Sequence, residues 1–253
     1  MEQPRPSYQV VAVLAVVVAL GTGCAGTDPT DSKDGDVRQP SSAPTTSAVP
    51  GASGAGQRDT QESSGTAIPS DFALAEGWPG PGADEGGPNG LEGPSRKLPP
   101  LSLSACGTTI LAPAASDRLS AEWTNPEDHR SRMLLTFDSV ATAREYATSV
   151  TDLYRKCPTQ GTGDGYTTLA EIVTTDLSED SAAVVLHYRF DATPAVGLSL
   201  VQVVRVGTAV LVETGSNEGG SGPHPGALRR KYLRENTAAL RGVVDAMGKI
   251  VAG

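Results

Sequence analysis

Eleven consecutive apolar residues, Val10–Leu20, run directly into Gly21-Thr22-Gly23-Cys24. At ~1.5 Å per residue the run is about 17 Å long, against roughly 30 Å for the hydrocarbon core of a bilayer, so it is too short to span one. It has the length of a signal-peptide core, with Arg5 ahead of it and small residues behind it. No twin-arginine pair precedes the run, which favours the general secretory route. Whatever follows is therefore expected to fold outside the cytoplasm.

Cys24 sharpens that reading. Small residues fill the three positions before it, in a pattern that resembles a bacterial lipoprotein processing site. Gly21 stands where leucine is usual, with Leu20 one place earlier. On this reading residues 1–23 are removed and Cys24 carries diacylglycerol. The protein then partners the membrane through that lipid, on the extracytoplasmic face of the cell membrane. Two or three acyl chains hold firmly where one anchors weakly. The alternative is an ordinary cleavable signal ending near Ala25. Gly21, Gly23 and Gly26 also spell GxGxxG, but no strand-helix-strand unit surrounds them, so a dinucleotide site is rejected.

The remaining cysteines are Cys106 and Cys157. An even pair in an exported chain reads as a disulfide. It would close a loop of about 50 residues, worth ~4 kcal/mol in the chain-entropy picture; two buried free thiols are the alternative. His129, His187 and His224 are dispersed and show no ligand spacing with the cysteines, so no zinc or other metal is expected, and no cofactor. Acidic residues outnumber basic ones 29 to 20, for a formal charge of −9. A nucleic-acid partner needs a basic footprint and is not expected.

Residues 24–67 hold Pro, Ser, Thr, Gly, Ala and Asp with almost no large apolar side chain, so they are expected to be a disordered tether. Its r.m.s. span would be roughly 35 Å. The extracytoplasmic domain is expected over 68–253, with its core at about 98–250. In 68–79, Ile68, Phe72, Leu74 and Trp78 return after the polar stretch. Such side chains are expected to dock on the domain, or else to serve as a partner-binding peptide. The Gly/Pro-rich stretch 80–94 is expected to loop out.

Within the core, 118–124 and 130–137 read as strands joined by the turn Asn125-Pro126-Glu127-Asp128. A helix capped by Asp138 or Ser139 follows, with Val140, Ala143, Ala147, Val150, Tyr154 and Cys157 on one stripe and Pro158 stopping it. Gly161–Gly165 reads as a turn that lacks both the carboxylates of a calcium loop and the Lys-Ser/Thr of a phosphate loop. Strands are expected at 167–175, 182–191, 197–206 and 209–214, the last two joined at Gly207-Thr208. A final helix carries Leu228, Tyr232, Ala239, Val243, Met247 and Ile250 inward, while Arg229, Arg230, Lys231 and Arg234 read as a solvated face. The expected class is α+β: an antiparallel β-sheet with two main helices packed on one face, preceded by the tether.

These residues resemble a family. Phe137 leads into an Ala-rich helix ending in Tyr154-Arg155-Lys156-Cys157-Pro158, and a later strand reads Val203-Val204-Arg205-Val206-Gly207. The pattern, over roughly 100–250, is similar to the extracytoplasmic sensor-type domain of PknH-type serine/threonine kinases and related actinobacterial lipoproteins. The resemblance implies a disulfide-bearing sandwich-like domain with a surface cleft for an unknown ligand. Cys157 matches the family's cysteine at the helix end, and Arg205 and Gly207 its strand-turn. The kinase relatives carry two disulfides where this chain can form one.

His187 and Arg189 share the more polar face of one strand. If helices cover the Val184/Leu186 face, those two line a cleft with Arg205; surface or cross-strand pairing is the plainer reading. GxSxG, HExxH, a Ser-His-Asp set and paired carboxylates are absent in usable context, and no kinase signature is present, so no catalytic residues are assigned. The expected function is a lipid-anchored, non-catalytic ligand-binding or sensor-like module, partnered by an unknown small ligand. The alternative is a structural lipoprotein of the envelope working through an envelope protein, with 68–79 as its contact site.

Overall fold

The computed structural model describes residues 67–79, 82–84, 87–112, 115–217 and 225–252. The expected signal segment, Cys24 and the tether up to residue 66 lie outside the described residues, as does His224. In chain order the elements are β1 (Gly82–Asp84), β2 (Gly87–Ser95), β3 (Ser102–Ala105), β4 (Thr108–Leu111), β5 (Asp117–Thr124), β6 (Asp128–Thr136), α1 (Val140–Lys156), β7 (Thr159–Gly163), β8 (Tyr166–Thr174), β9 (Asp180–Phe190), β10 (Thr193–Val206), β11 (Ala209–Asn217) and α2 (Pro225–Ala252). Among the described residues nine strands form one antiparallel sheet, in the order β1-β2-β5-β6-β11-β10-β9-β8-β7. β3 and β4 make a separate hairpin.

Local chemistry sets these elements. Asn125 Oδ1 accepts the N–H groups of Glu127 (2.9 Å) and Asp128 (2.6 Å), closing the β5–β6 turn. Ser139 caps α1 by accepting the Thr142 N–H, and the Arg155 and Lys156 charges complement the dipole at its last turn. Gly207 turns β10 into β11 at φ 56°.

The expectation of two helices on one face is corrected. Register aligns Val203 with Val212 and Met133, and Val204 with Leu211 and Leu134, so neighbouring residues point to opposite faces. α1 covers the face of Met133, Leu135, Val201, Val203, Val210 and Val212. α2 covers the face of Leu119, Trp123, Leu134, Val204 and Leu211. The central strands are apolar at successive positions because both of their faces are covered. Val140, expected on the buried stripe of α1, is 43% exposed; Tyr146 and Leu153 fill that side instead.

Residues 67–79 are a strap across the α2 face. Ile68, Phe72, Leu74 and Trp78 join the core there, so the segment is not an exposed contact peptide. The Ile68 N–H donates to Asp117 Oδ2 (2.8 Å) and its carbonyl accepts from Arg96, which also pairs with Asp117. Those contacts, the Arg96 hydrogen bond foremost, hold the Asp117 carboxyl below the usual carboxylate range. Gly77, at φ 81°, passes over α2 so closely that a Cβ would lie 2.6 Å from the Ala239 carbonyl oxygen. The stretch expected to loop out, 80–94, instead supplies β1 and most of β2, the latter paired to β5.

Under the strap lies a buried polar row. Arg132, Glu213 and Gln202 are cross-strand neighbours on β6, β11 and β10. Glu213 Oε1 accepts from Arg132 Nε (3.0 Å) and Trp78 Nε1 (3.0 Å), and Oε2 from Gln202 Nε2 (3.2 Å). Arg132 also donates to the carbonyls of Leu74 (2.9 Å) and Glu76 (2.6 Å), with its guanidinium 4.5 Å from the Trp78 ring centroid. Thr237 on α2 donates to Gln202 Oε1 (2.9 Å). Burial pushes the Arg132 pKa down while Glu213 pulls it back.

Cys106 and Cys157 form a disulfide with their Cα atoms 5.9 Å apart. It ties the β3–β4 turn, where Cys106 and Gly107 both take positive φ, to the C-terminal end of α1. Reduction is expected to lower the unfolding free energy by about 2–4 kcal/mol, since the bridge closes a loop 51 residues long. Denaturant midpoints with and without reductant test this; equal midpoints would show that the bridge does not constrain the unfolded chain.

Candidate functional site

The three residues expected to share a cleft are not brought together. His187 and Arg189 lie on the α2 face of β9, whereas Arg205 lies on the α1 face of β10. His187 stands opposite Leu198 and Arg205 opposite Asp180, seven positions away along the strands, or about 23 Å. Arg205 is committed to structure: its Nε donates to Asp180 Oδ2 (2.8 Å) and its Nη1 to the Gly207 carbonyl (2.9 Å). The Asp180 carboxyl sits below its usual range because of Arg205 first and Arg144 second. His187 is half-buried, and burial together with the Arg229 and Arg189 charges lowers its pKa against the opposing pull of Glu171. The face expected to stay open thus holds the N-terminal half of α2.

That half of α2 builds a different site. Arg230, Leu233, Arg234, Thr237, Ala238 and Arg241 line a groove of about 500 Å³, faced across it by Thr174, Thr175 and Asp176 at the end of β8. Spacings of three, four and seven residues put these side chains on one side of the helix. Arg241 closes one end with a two-pronged contact to Asp176, Nη2 lying 2.9 Å and 2.8 Å from the two carboxylate oxygens. This pairing holds the exposed Asp176 carboxyl below its usual range. Arg230 and Arg234, one turn apart, have no carboxylate within ion-pair distance among the described residues. The Thr175 hydroxyl is buried without a hydrogen-bond partner among those residues. Thr237 links the groove floor to the buried Gln202–Glu213–Arg132 row.

Two guanidiniums over a floor of Leu233 and Ala238 suit an anion that carries some apolar surface. Arg230 and Arg234 stood in the sequence as a solvated helix face. Their i,i+4 spacing was visible, but not the approach of the β8 end that turns a convex face into a groove.

The architecture is a mainly antiparallel β-sheet with two helices. No protein-family model and no curated protein matches the chain. The extracellular domain of PknH from Mycobacterium tuberculosis is similar at 10% identity and a TM-score of 0.35, over 51% of this chain and 63% of that domain. The Mll3558 protein from Rhizobium loti is similar at 13% identity and a TM-score of 0.25, over 49% of this chain and 96% of that one. The chain spans about three-fifths of the PknH domain's length. Among the described residues no helix is long and apolar enough to cross a membrane.

Proposed function

We propose that this protein is a lipid-anchored, extracytoplasmic binding module that takes an anionic ligand in the α2 groove without transforming it. The carrying observation is the pair Arg230 and Arg234, unpaired to any carboxylate among the described residues, at the mouth of a groove with an apolar floor. Cys24 after the short apolar run supports the anchor and the extracytoplasmic location. The envelope-contact alternative loses its contact site, because 68–79 lies in the core.

Pyrophosphate, used as a probe anion, is expected to raise the thermal midpoint of the exported protein, with the effect fading as salt rises. Arg230→Gln with Arg234→Gln is expected to abolish that shift while leaving the ligand-free midpoint nearly unchanged, since both side chains are exposed. An equal pyrophosphate shift in wild type and double variant would sink the groove assignment.

A further inference from the structure

A second site lies on the opposite face of the sheet. Beyond the C-terminal end of α1 the strands β8 and β9 continue with no other helix packed on that face among the described residues. Tyr166 and Phe190, cross-strand partners at the far end, are 48% and 44% exposed, with ring centroids 4.9 Å apart and planes tilted by 53°. Exposed aromatic pairs of this kind mark contact surfaces. The next pair inward on the same face is Thr168 and Tyr188, and the next is Ala170 and Leu186. These two pairs form the floor of a cavity of about 160 Å³. Tyr154 and Cys157 from the end of α1, Ser104 from the small hairpin and Gln160 from β7 wall it. From the aromatic pair to the cavity's inner end is four residues, about 13 Å.

The chemistry of this run is specific. Among the described residues no charged side chain lines the cavity. Its polar groups are hydroxyls and one amide: Tyr188 shares a 2.8 Å hydrogen bond with Ser199, and Gln160 Oε1 accepts the Cys106 N–H at 3.0 Å, which leaves the Gln160 –NH2 to donate elsewhere. Burial pushes the Tyr154 hydroxyl up to about 12, so it stays protonated and able to donate. The turns beside the aromatic pair carry Asp164 and Asp191, which disfavour an anion. An apolar peptide would give the Tyr154 hydroxyl and the Gln160 –NH2 no acceptor. A sugar ring suits both parts: its C–H face carries slight positive charge and lies against the negative face of an aromatic ring, while its hydroxyls pair with neutral donors and acceptors.

We propose that this ledge and cavity bind a neutral glycan, with one pyranose ring on Tyr166 and Phe190 and its neighbour in the cavity. The site uses none of the groove residues on α2 and stands independently of them. The test titrates the exported full-length protein with chitotriose and with maltotriose, following backbone amides by NMR. The expected result is saturable movement of the amides at Tyr166, Thr168, Tyr188 and Phe190 with at least one sugar. Tyr166→Ala or Phe190→Ala is expected to weaken the affinity about tenfold, the scale of one lost ring contact. Both rings are half-exposed, so the variants should keep the wild-type fold, which their near-UV spectra check. No amide movement with either sugar at millimolar concentration would overturn the proposal, as would an affinity unchanged in both variants.

Discussion

Replacing Glu213 with leucine should cost about 3–5 kcal/mol, because it strands the Arg132 guanidinium in the core with its charge uncompensated. The side chains of Arg132 and Glu213 are 0% and 4% exposed, so water cannot substitute for the lost partner. Glu213 also accepts from Trp78 and Gln202, and both donors are orphaned by the change. The double variant Arg132→Met, Glu213→Leu should recover part of the loss, since no charge is then left buried. The remainder would reflect the Trp78 and Gln202 donors that Glu213 served and the Leu74 and Glu76 carbonyls that Arg132 served. Urea midpoints of wild type, single and double variants check this. A double variant as unstable as the single one would show that stranded charge is not the cause.

A chain beginning at residue 80 should fail to form a cooperative fold, whereas one beginning at residue 67 should behave as the intact protein does. The first truncation strips Ile68, Phe72, Leu74 and Trp78 from the α2-face core. At roughly 1.5–3 kcal/mol for each buried side chain the loss is about 6–12 kcal/mol, against a usual total of about 5–15 kcal/mol. The same cut uncovers Arg132 and removes two of its acceptors. Amide dispersion and the near-UV signal of the buried tryptophans give the readout. A sharp unfolding transition in the shorter chain, close to that of the longer one, would show that the strap is not part of the core.

Much of the sheet can be traced from the sequence because its strands carry their own signals. Alternation in β9, the Asn125–Asp128 turn and Gly207-Thr208 place β5, β6 and β8–β11 to within a few residues. The layering of the helices was also written there, in Met133-Leu134-Leu135 and Val210-Leu211-Val212, since runs apolar at every position need cover on both sides. β1, β2 and β7 were hidden by glycine and proline, whose intrinsic preferences oppose strands; partner strands impose their conformation. The β3–β4 hairpin was hidden because its turn is Cys106-Gly107, and cysteine is not a usual turn residue. Arg132, Gln202 and Glu213 look in isolation like solvent-facing strand residues; only the register that aligns them shows a buried row. The expected cleft failed for a related reason, because the parity of Arg205 relative to His187 depends on pairings between strands.

The attachment of Ile68 has a mechanical side. Its N–H is held by Asp117 and its carbonyl by Arg96, and Asp117 opens β5 within the large sheet. A pull along the chain ahead of residue 68 therefore meets a charged clamp at the sheet itself. The turns at Phe72 and Glu76 and the indole of Trp78 lie behind that clamp. Force entering from that side is delivered first to residue 68, where the Asp117–Arg96 clamp on its backbone and the burial of its side chain beneath α2 bear the load together, ahead of Phe72, Leu74 and Trp78.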